Sequence, residues 1–342
     1  MSAITKLPSR KVEAWHYTDL SQSDITSYPL VQQGFAGPGL ADHKDERIGS
    51  ILPPADLPLV ALNAELFDRS QVLRISGQVA APIRVTSEGK SGQFHNRLLV
   101  IVEAGASATL VETHTGLGRY FNNSVIEIDL AEGASLDHVV LQNESEEATH
   151  VSTLGVRMAA KAAYRGQILH LGGQLVRREV HAQLVGEEAD FALDGASLVK
   201  RSQHIDNTTR IVHRAGHCPS RQLFKTVLEE QGHGVFQGTV LVERGAQKTN
   251  AHQLSRALLL SDKAAMDNKP ELEIFADDVK CGHGATIGDI DENQLFYMRA
   301  RGVDEARARQ LLIEAFLAEV VEQVGDETIR GELAALLHKE LA

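Results

Sequence analysis

The sequence predicts a mainly β protein in which many short strands repeat, and three observations carry that expectation. Hydrophobic residues make up 43% of the 342 residues but aromatics only 5%, so the core is built from Val, Ile, Leu and Ala rather than rings. The 28 glycines often punctuate short apolar runs, as chain reversals require. Between residues 58 and 290, roughly fifteen such runs follow one another.

Taken in order, residues 1–57 form a first segment with a helix-like stretch over residues 11–20 and a Gly- and Pro-rich loop around residues 34–39. Pro53, Pro54 and Pro58 break any helix there and mark a boundary. Residues 58–293 are the β region, with no amphipathic helix expected. Within residues 124–130, Ile126, Ile128 and Leu130 share one face while Glu127 and Asp129 share the other. Residues 97–102 are mostly apolar without alternation, as in a strand buried on both faces. Leu272 and Ile274 alternate with Glu271 and Glu273. Gly105 and Gly133 sit in similar Glu/Gly/Ala junctions 28 residues apart, and Gly186 and Gly245 follow at about twice that interval. Stacked β coils produce such a period, with a sandwich or barrel as the alternative arrangement. Residues 294–342 change to a helical period. Asp304 is the expected N-cap, Leu312, Phe316, Val320 and Val324 recur at i+4 beside Ile313, Leu317 and Val321, and Gly325 is the expected stop. A second helix is expected over residues 332–341. The wide apolar stripe suits docking on the chain's own β region or presentation to a partner.

Charge and motifs then narrow the function. With 34 Lys+Arg against 46 Asp+Glu the net charge is −12, which disfavours a phosphate-neutralising surface and hence nucleic acid. The start, MSAITKLPSRKVEAW, lacks the apolar core of a signal peptide, and no run is long enough to span a membrane. Two cysteines cannot make a disulfide framework and indicate a reducing compartment, so the expected location is cytoplasmic. Gly89-Lys90-Ser91 has Arg84 where a phosphate loop needs its first glycine. There is no G-x-S-x-G, no H-E-x-x-H and no C-x-x-C. No catalytic constellation is encoded, and the expectation is a non-enzyme that binds no nucleotide.

Two places carry metal-ligand chemistry. His213, His217 and Cys218 supply three borderline-soft ligands within six residues, the start of a zinc site, although the segment follows a strand rather than lying on a helix. Cys281 and His283 are two apart, so on a strand they share a face, while Gly282 and Gly284 clear the other. A thiol beside an imidazole suits iron or zinc, and equally a Cys–His nucleophile pair. Two ligands cannot complete a site, so a metal here would draw the rest from elsewhere.

Several stretches resemble one family in order: residues 9–20 (SRKVEAWHYTDL), 217–225 (HCPSRQLFK), 245–249 (GAQKT), 269–286 (KPELEIFADDVKCGHGAT) and 295–302 (LFYMRARG). They are similar to the SufB/SufD proteins of iron–sulfur cluster assembly. The segment Cys281-Gly282-His283-Gly284-Ala285-Thr286 is of the SufD type, since the SufB type carries a His-Glu-Ala-Thr segment there. The resemblance is dense from about residue 205 to 325, and the chain is short for the family in its N-terminal half. It implies a right-handed parallel β-helix core flanked by helical terminal segments. It also implies pairing with a SufB-like paralogue through the β-helix, and with a SufC-like ABC ATPase through the C-terminal helices, for which Leu312, Phe316 and Val320 are the candidate contacts. His283, and with it Cys281, would hold a transient iron–sulfur cluster shared with the paralogue. No flavin is assigned, and an exposed solenoid edge invites a homodimer of the isolated chain. The alternatives of another class are a β-helix enzyme acting on polysaccharide, and a stand-alone metal-binding β protein using His213, His217 and Cys218.

Overall fold

A computed structural model describes residues 6–67 and 69–341 of the chain; the first five residues of the N-terminal segment lie outside them. In chain order the early strands are β1 (Leu40–Asp42), β2 (Ser70–Ile75), β3 (Ile83–Gly89), β4 (Gly92–Val102), β5 (Ser107–Gly116), β6 (Tyr120–Leu130), β7 (Ser135–Asn143) and β8 (Thr149–Met158). They are followed by β9 (Ala163–His170), β10 (Leu175–Leu184), β11 (Asp190–Val199), β12 (His204–His213) and β13 (Pro219–Leu228). The last four are β14 (His233–Val242), β15 (Asn250–Leu259), β16 (Ala265–Ile274) and β17 (Lys280–Gly288). Helix α1 (Pro58–Leu66) precedes β2, and α2 (Glu292–Ala300), α3 (Glu305–Val321) and α4 (Glu327–Leu341) follow β17.

From β2 onward the strands alternate between two parallel sheets. The even-numbered strands stack in order from β2 to β16, and the odd-numbered ones from β3 to β17. Each coil therefore contributes one strand to each sheet, which is a parallel β-solenoid. Pairing is in register over whole strands, so that Val102, Leu130 and Met158 succeed one another in one inward column. That column, with Leu110, Leu136 and Phe191 from the facing sheet, belongs to one continuous interior cluster.

The repeat is clearest at one turn. Gly105, Gly133, Lys161, Glu188, His217 and Lys248 all have φ between 52° and 67°, and each occupies the same rung. The N–H of Gly105 donates to Glu132 O, that of Gly133 to Ala160 O, and so on to Lys248 donating to Asp278 O. Only the first two positions hold glycine, the residue that adopts this conformation freely. The repeat in the sequence therefore fades after two coils while the backbone repeat continues.

Four local features differ from the simple sequence pattern. Residues 11–20 form no helix beyond the single 3₁₀ turn Glu13–Trp15. Pro58 starts a helix instead of breaking one. It stands in the first turn of α1, where a missing N–H costs nothing, and α1 packs on β4, β6 and β8. Glu127 does not face water: its carboxylate accepts from the backbone N–H groups of Gly49, Ile51 and Leu52 and from Arg97, because residues 49–52 cover that face of the sheet. In the C-terminal region Asp304 caps α3 by accepting from Ala306 N and Arg307 N, and the second helix begins at Glu327, five residues before the expected start.

The two ends of the solenoid differ. At the first coil β1 pairs antiparallel with β2, and residues 30 and 36 bridge to Gln93 and Thr86. At the other end β16 and β17 each have a single neighbour in their sheets. Among the described residues no strand covers that end, which is uncapped in that sense.

Candidate functional site

Strand β17 carries Cys281 and His283 on the uncapped end. It pairs in register with β15, matching Cys281 to Ala251 and His283 to Gln253. Ala251 and Gln253 point inward, at 0% and 2% exposure, while His252 between them is exposed. Parallel in-register neighbours share a face, so Cys281 and His283 look toward the solenoid interior with no further coil above them. Cys281 is half-buried and packs against the cluster of Val240, Val242, Ala251 and Ala276, whereas His283 is exposed. Burial pushes the Cys281 thiol above its usual range, partly offset by the backbone of Ala251, so its conversion to a ligand depends on a metal taking the place of the proton. A Cβ at Gly282 would come no closer than 3.7 Å to anything but its chain neighbours, so this chain's own packing does not demand glycine there.

Among the described residues, no three His, Cys, Asp or Glu groups converge as a metal site. This corrects the zinc reading of His213, His217 and Cys218. His213 is inside, with Nε2 2.9 Å from Ser220 Oγ. His217 is exposed at the left-handed turn position described above. Cys218 points into the interior cluster and its Sγ donates to Gly186 O and Gly216 O. The turn sends the three side chains in different directions.

The N-terminal stretch around Trp15 acts as a clamp. Arg177, on the outer face of β10 and fully buried, stacks its guanidinium 4.0 Å from the Trp15 ring centroid. It donates to Ala14 O at 2.7 Å, to Glu179 Oε1 at 2.8 Å and to Asp206. Thr18 closes the arrangement by donating to Asp206 and lying 2.8 Å from His204 Nε2.

The C-terminal stripe packs mainly at home. Ile313, Leu317, Val320 and Val321 of α3 join Val139, Leu169, Leu198 and Val227 on the outer face of the odd-numbered sheet. Val320 is 2% exposed, which removes it from any surface offered to a partner. Leu312 and Phe316 are half-buried, and Lys225 Nζ lies 4.5 Å from the Phe316 ring centroid. The residues left open are Phe296 and Tyr297 of α2, at 73% and 59% exposure. Both lie within the LFYMRARG stretch of residues 295–302. Ile274, Phe275 and Ile287 are also exposed beside the uncapped end.

The chain matches the family described as SUF system FeS cluster assembly, SufBD core domain, over residues 84–316. It belongs to that family. Within it the chain is of the SufD type. It is 35% identical over 249 residues to the iron-sulfur cluster assembly protein SufD of Escherichia coli (72% of this chain, 59% of that protein). It is 40% identical over 240 residues to the chloroplastic protein ABCI7 of Arabidopsis thaliana (69% of this chain, 50% of that one). A SufBD family protein of Mycobacterium leprae is 27% identical over 98% of this chain and 91% of its own length. The chain thus spans between half and three fifths of the length of the first two relatives.

Proposed function

We propose that this chain is a non-enzymatic scaffold subunit on which an iron–sulfur cluster is built between two proteins. The observation that carries the reading is the place of Cys281 and His283 on β17, a strand with one free edge at the uncapped end of the solenoid. A SufB-like paralogue pairs with β16 and β17, covering Phe275 and Ile287 and supplying the missing ligands. Thiolate and imidazole are both known ligands of iron in such clusters. An incomplete set shared across an interface holds the product firmly while the subunits are joined and loosens it when they part. A SufC-like ABC ATPase docks on the C-terminal helices through exposed Phe296 and Tyr297, with half-buried Leu312 and Phe316 as further contacts. The cluster is cargo, and this chain binds no nucleotide. In isolation the free edges support pairing of two copies of the chain. The reducing cytoplasm suits its two unpaired cysteines. Among the described residues no helix is long and apolar enough to cross a membrane.

The test is co-expression with a SufB-like and a SufC-like protein, followed by reconstitution with ferrous iron and sulfide. A stable complex with iron–sulfide absorbance is expected. His283→Ala should abolish the absorbance without dissolving the complex, and Phe296→Ala should weaken retention of the ATPase alone. Failure to associate with either partner would sink the scaffold reading, and full cluster formation by His283→Ala would remove the site.

A further inference from the structure

Beneath His283 the inward column continues with two glutamines. The register runs from Gln222 through Gln253 to His283 on adjacent strands of one sheet. Gln222 is 1% exposed and Gln253 is 2% exposed. Neither the oxygen nor the nitrogen of either amide has a hydrogen-bond partner among the described residues. Each such orphan costs about 1–3 kcal/mol when buried dry, so glutamine is a poor choice for packing alone. A slot for the Gln253 amide exists across the solenoid only because residue 238 is glycine; a Cβ there would collide with that amide and lie 2.9 Å from Phe236 Cζ.

We propose that Gln253 is a contact residue for the cluster under construction, its amide N–H donating to a sulfide of the cluster held by His283. The inference rests on the scaffold reading above. Sulfide is the anionic part of the cargo and accepts such bonds, and hydrogen bonds to cluster sulfur tune its reduction potential. The amide oxygen is a hard donor and competes poorly with thiolate and imidazole for iron. Gln253 stands one strand spacing from His283, about 4.8 Å along the ladder. Gln222 stands two spacings away and serves as a control of equal burial.

The test compares Gln253→Leu, Gln253→Glu, Gln222→Leu and His283→Ala in the reconstituted three-protein complex, using ferrous iron and sulfide. Both leucine variants should melt at or above the wild-type temperature, because an apolar group of similar size replaces an unsatisfied amide. Gln253→Leu should lose about tenfold in cluster yield, and any cluster that forms should have a more negative reduction potential. Gln253→Glu, which presents acceptors to a sulfide, should lose at least as much. Gln222→Leu should leave yield and potential unchanged. Wild-type yield and potential in Gln253→Leu, with cluster lost in His283→Ala, would overturn the assignment and leave the scaffold reading standing. A lower melting temperature in Gln253→Leu would make the residue structural and overturn it too. Cluster formation unchanged in His283→Ala would remove the site itself and this contact with it.

Discussion

Arg178 is the most informative place to perturb the solenoid. It points inward from β10 and is 1% exposed. Its Nη1 donates to Glu112 Oε1 at 2.8 Å and its Nη2 to Oε2 at 3.4 Å. Glu112 is equally buried, with His114 Nε2 2.6 Å from Oε1 and His138 Nε2 2.9 Å from Oε2. Burial by itself would raise the Glu112 pKa, but Arg178 and the two imidazoles outweigh it and hold the carboxyl well below the usual range. Arg178→Met strands that carboxylate in the core, which costs about 3–5 kcal/mol, or on the order of a thousandfold in the unfolded fraction. The double variant Arg178→Met/Glu112→Gln removes both charges and should recover all but about 1–2 kcal/mol. Urea denaturation at neutral pH measures both. The pH dependence gives a second check. With Arg178 present the depressed pKa stabilises the fold above the unfolded value near 4.5, and that stability is lost as pH falls below it. Without Arg178 burial dominates and the pKa rises, so the deficit of the variant should shrink as pH falls from 7 toward 4.5. A deficit below about 1 kcal/mol, or additive single and double variants, would refute the reasoning.

Two further outcomes are expected. His213 is completely buried and its pKa is pushed down to about 4 by that burial, so it stabilises the fold fully above pH 6.5 and loses about 3 kcal/mol as pH falls to 4; His213→Gln should flatten the stability curve in that window, and superimposable slopes would contradict it. Trp15→Ala removes a buried ring and its cation–π contact, worth about 2 kcal/mol when desolvated; trypsin should then cut after Arg10 and Lys11 much faster while the solenoid's melting temperature moves little, and unchanged cleavage would show that the clamp is held otherwise.

The sequence patterns allowed stacked coils or a sandwich or barrel, and the family resemblance pointed to the β-helix. The patterns were visible because a parallel coil imposes two periods at once, one along the strand and one between coils. Ile126, Ile128 and Leu130 reported the first, and Gly105 with Gly133 the second. What stayed hidden was set by parts of the chain distant in sequence. Glu127 alternates like a solvent-facing residue, yet the backbone of residues 49–52 folds over it. Arg177 and Arg178 are adjacent cations in sequence, but one is sealed by Trp15 and the other by Glu112. Val320 belongs to a stripe too wide to assign from period alone, and only the presence of the sheet face decides which column is covered. At the candidate site the Cys281–His283 pair was legible from its i, i+2 spacing. Gln253 was not, since a glutamine in a strand gives no sign of having an unpaired amide.

The last coil is the end of the solenoid that the described residues of this chain leave open. Elsewhere the buried arginines of the solenoid are paired: Arg178 with Glu112, Arg177 with Asp206 and Glu179, and Arg97 with Glu127. The first coil is capped by the chain's own N-terminal residues. At the last coil, among the described residues, two strand edges lack neighbours, Phe275 and Ile287 stand in solvent, and the Gln253 amide lies buried without a partner one strand below His283. A parallel solenoid gains from every added coil, because each buries the face of the one before. A solenoid whose last described coil is open offers the face that the proposed paralogue would cover. In the proposed function, the position of Cys281 and His283 on that face would tie completion of the coordination set to completion of the stack, so that one association event serves both.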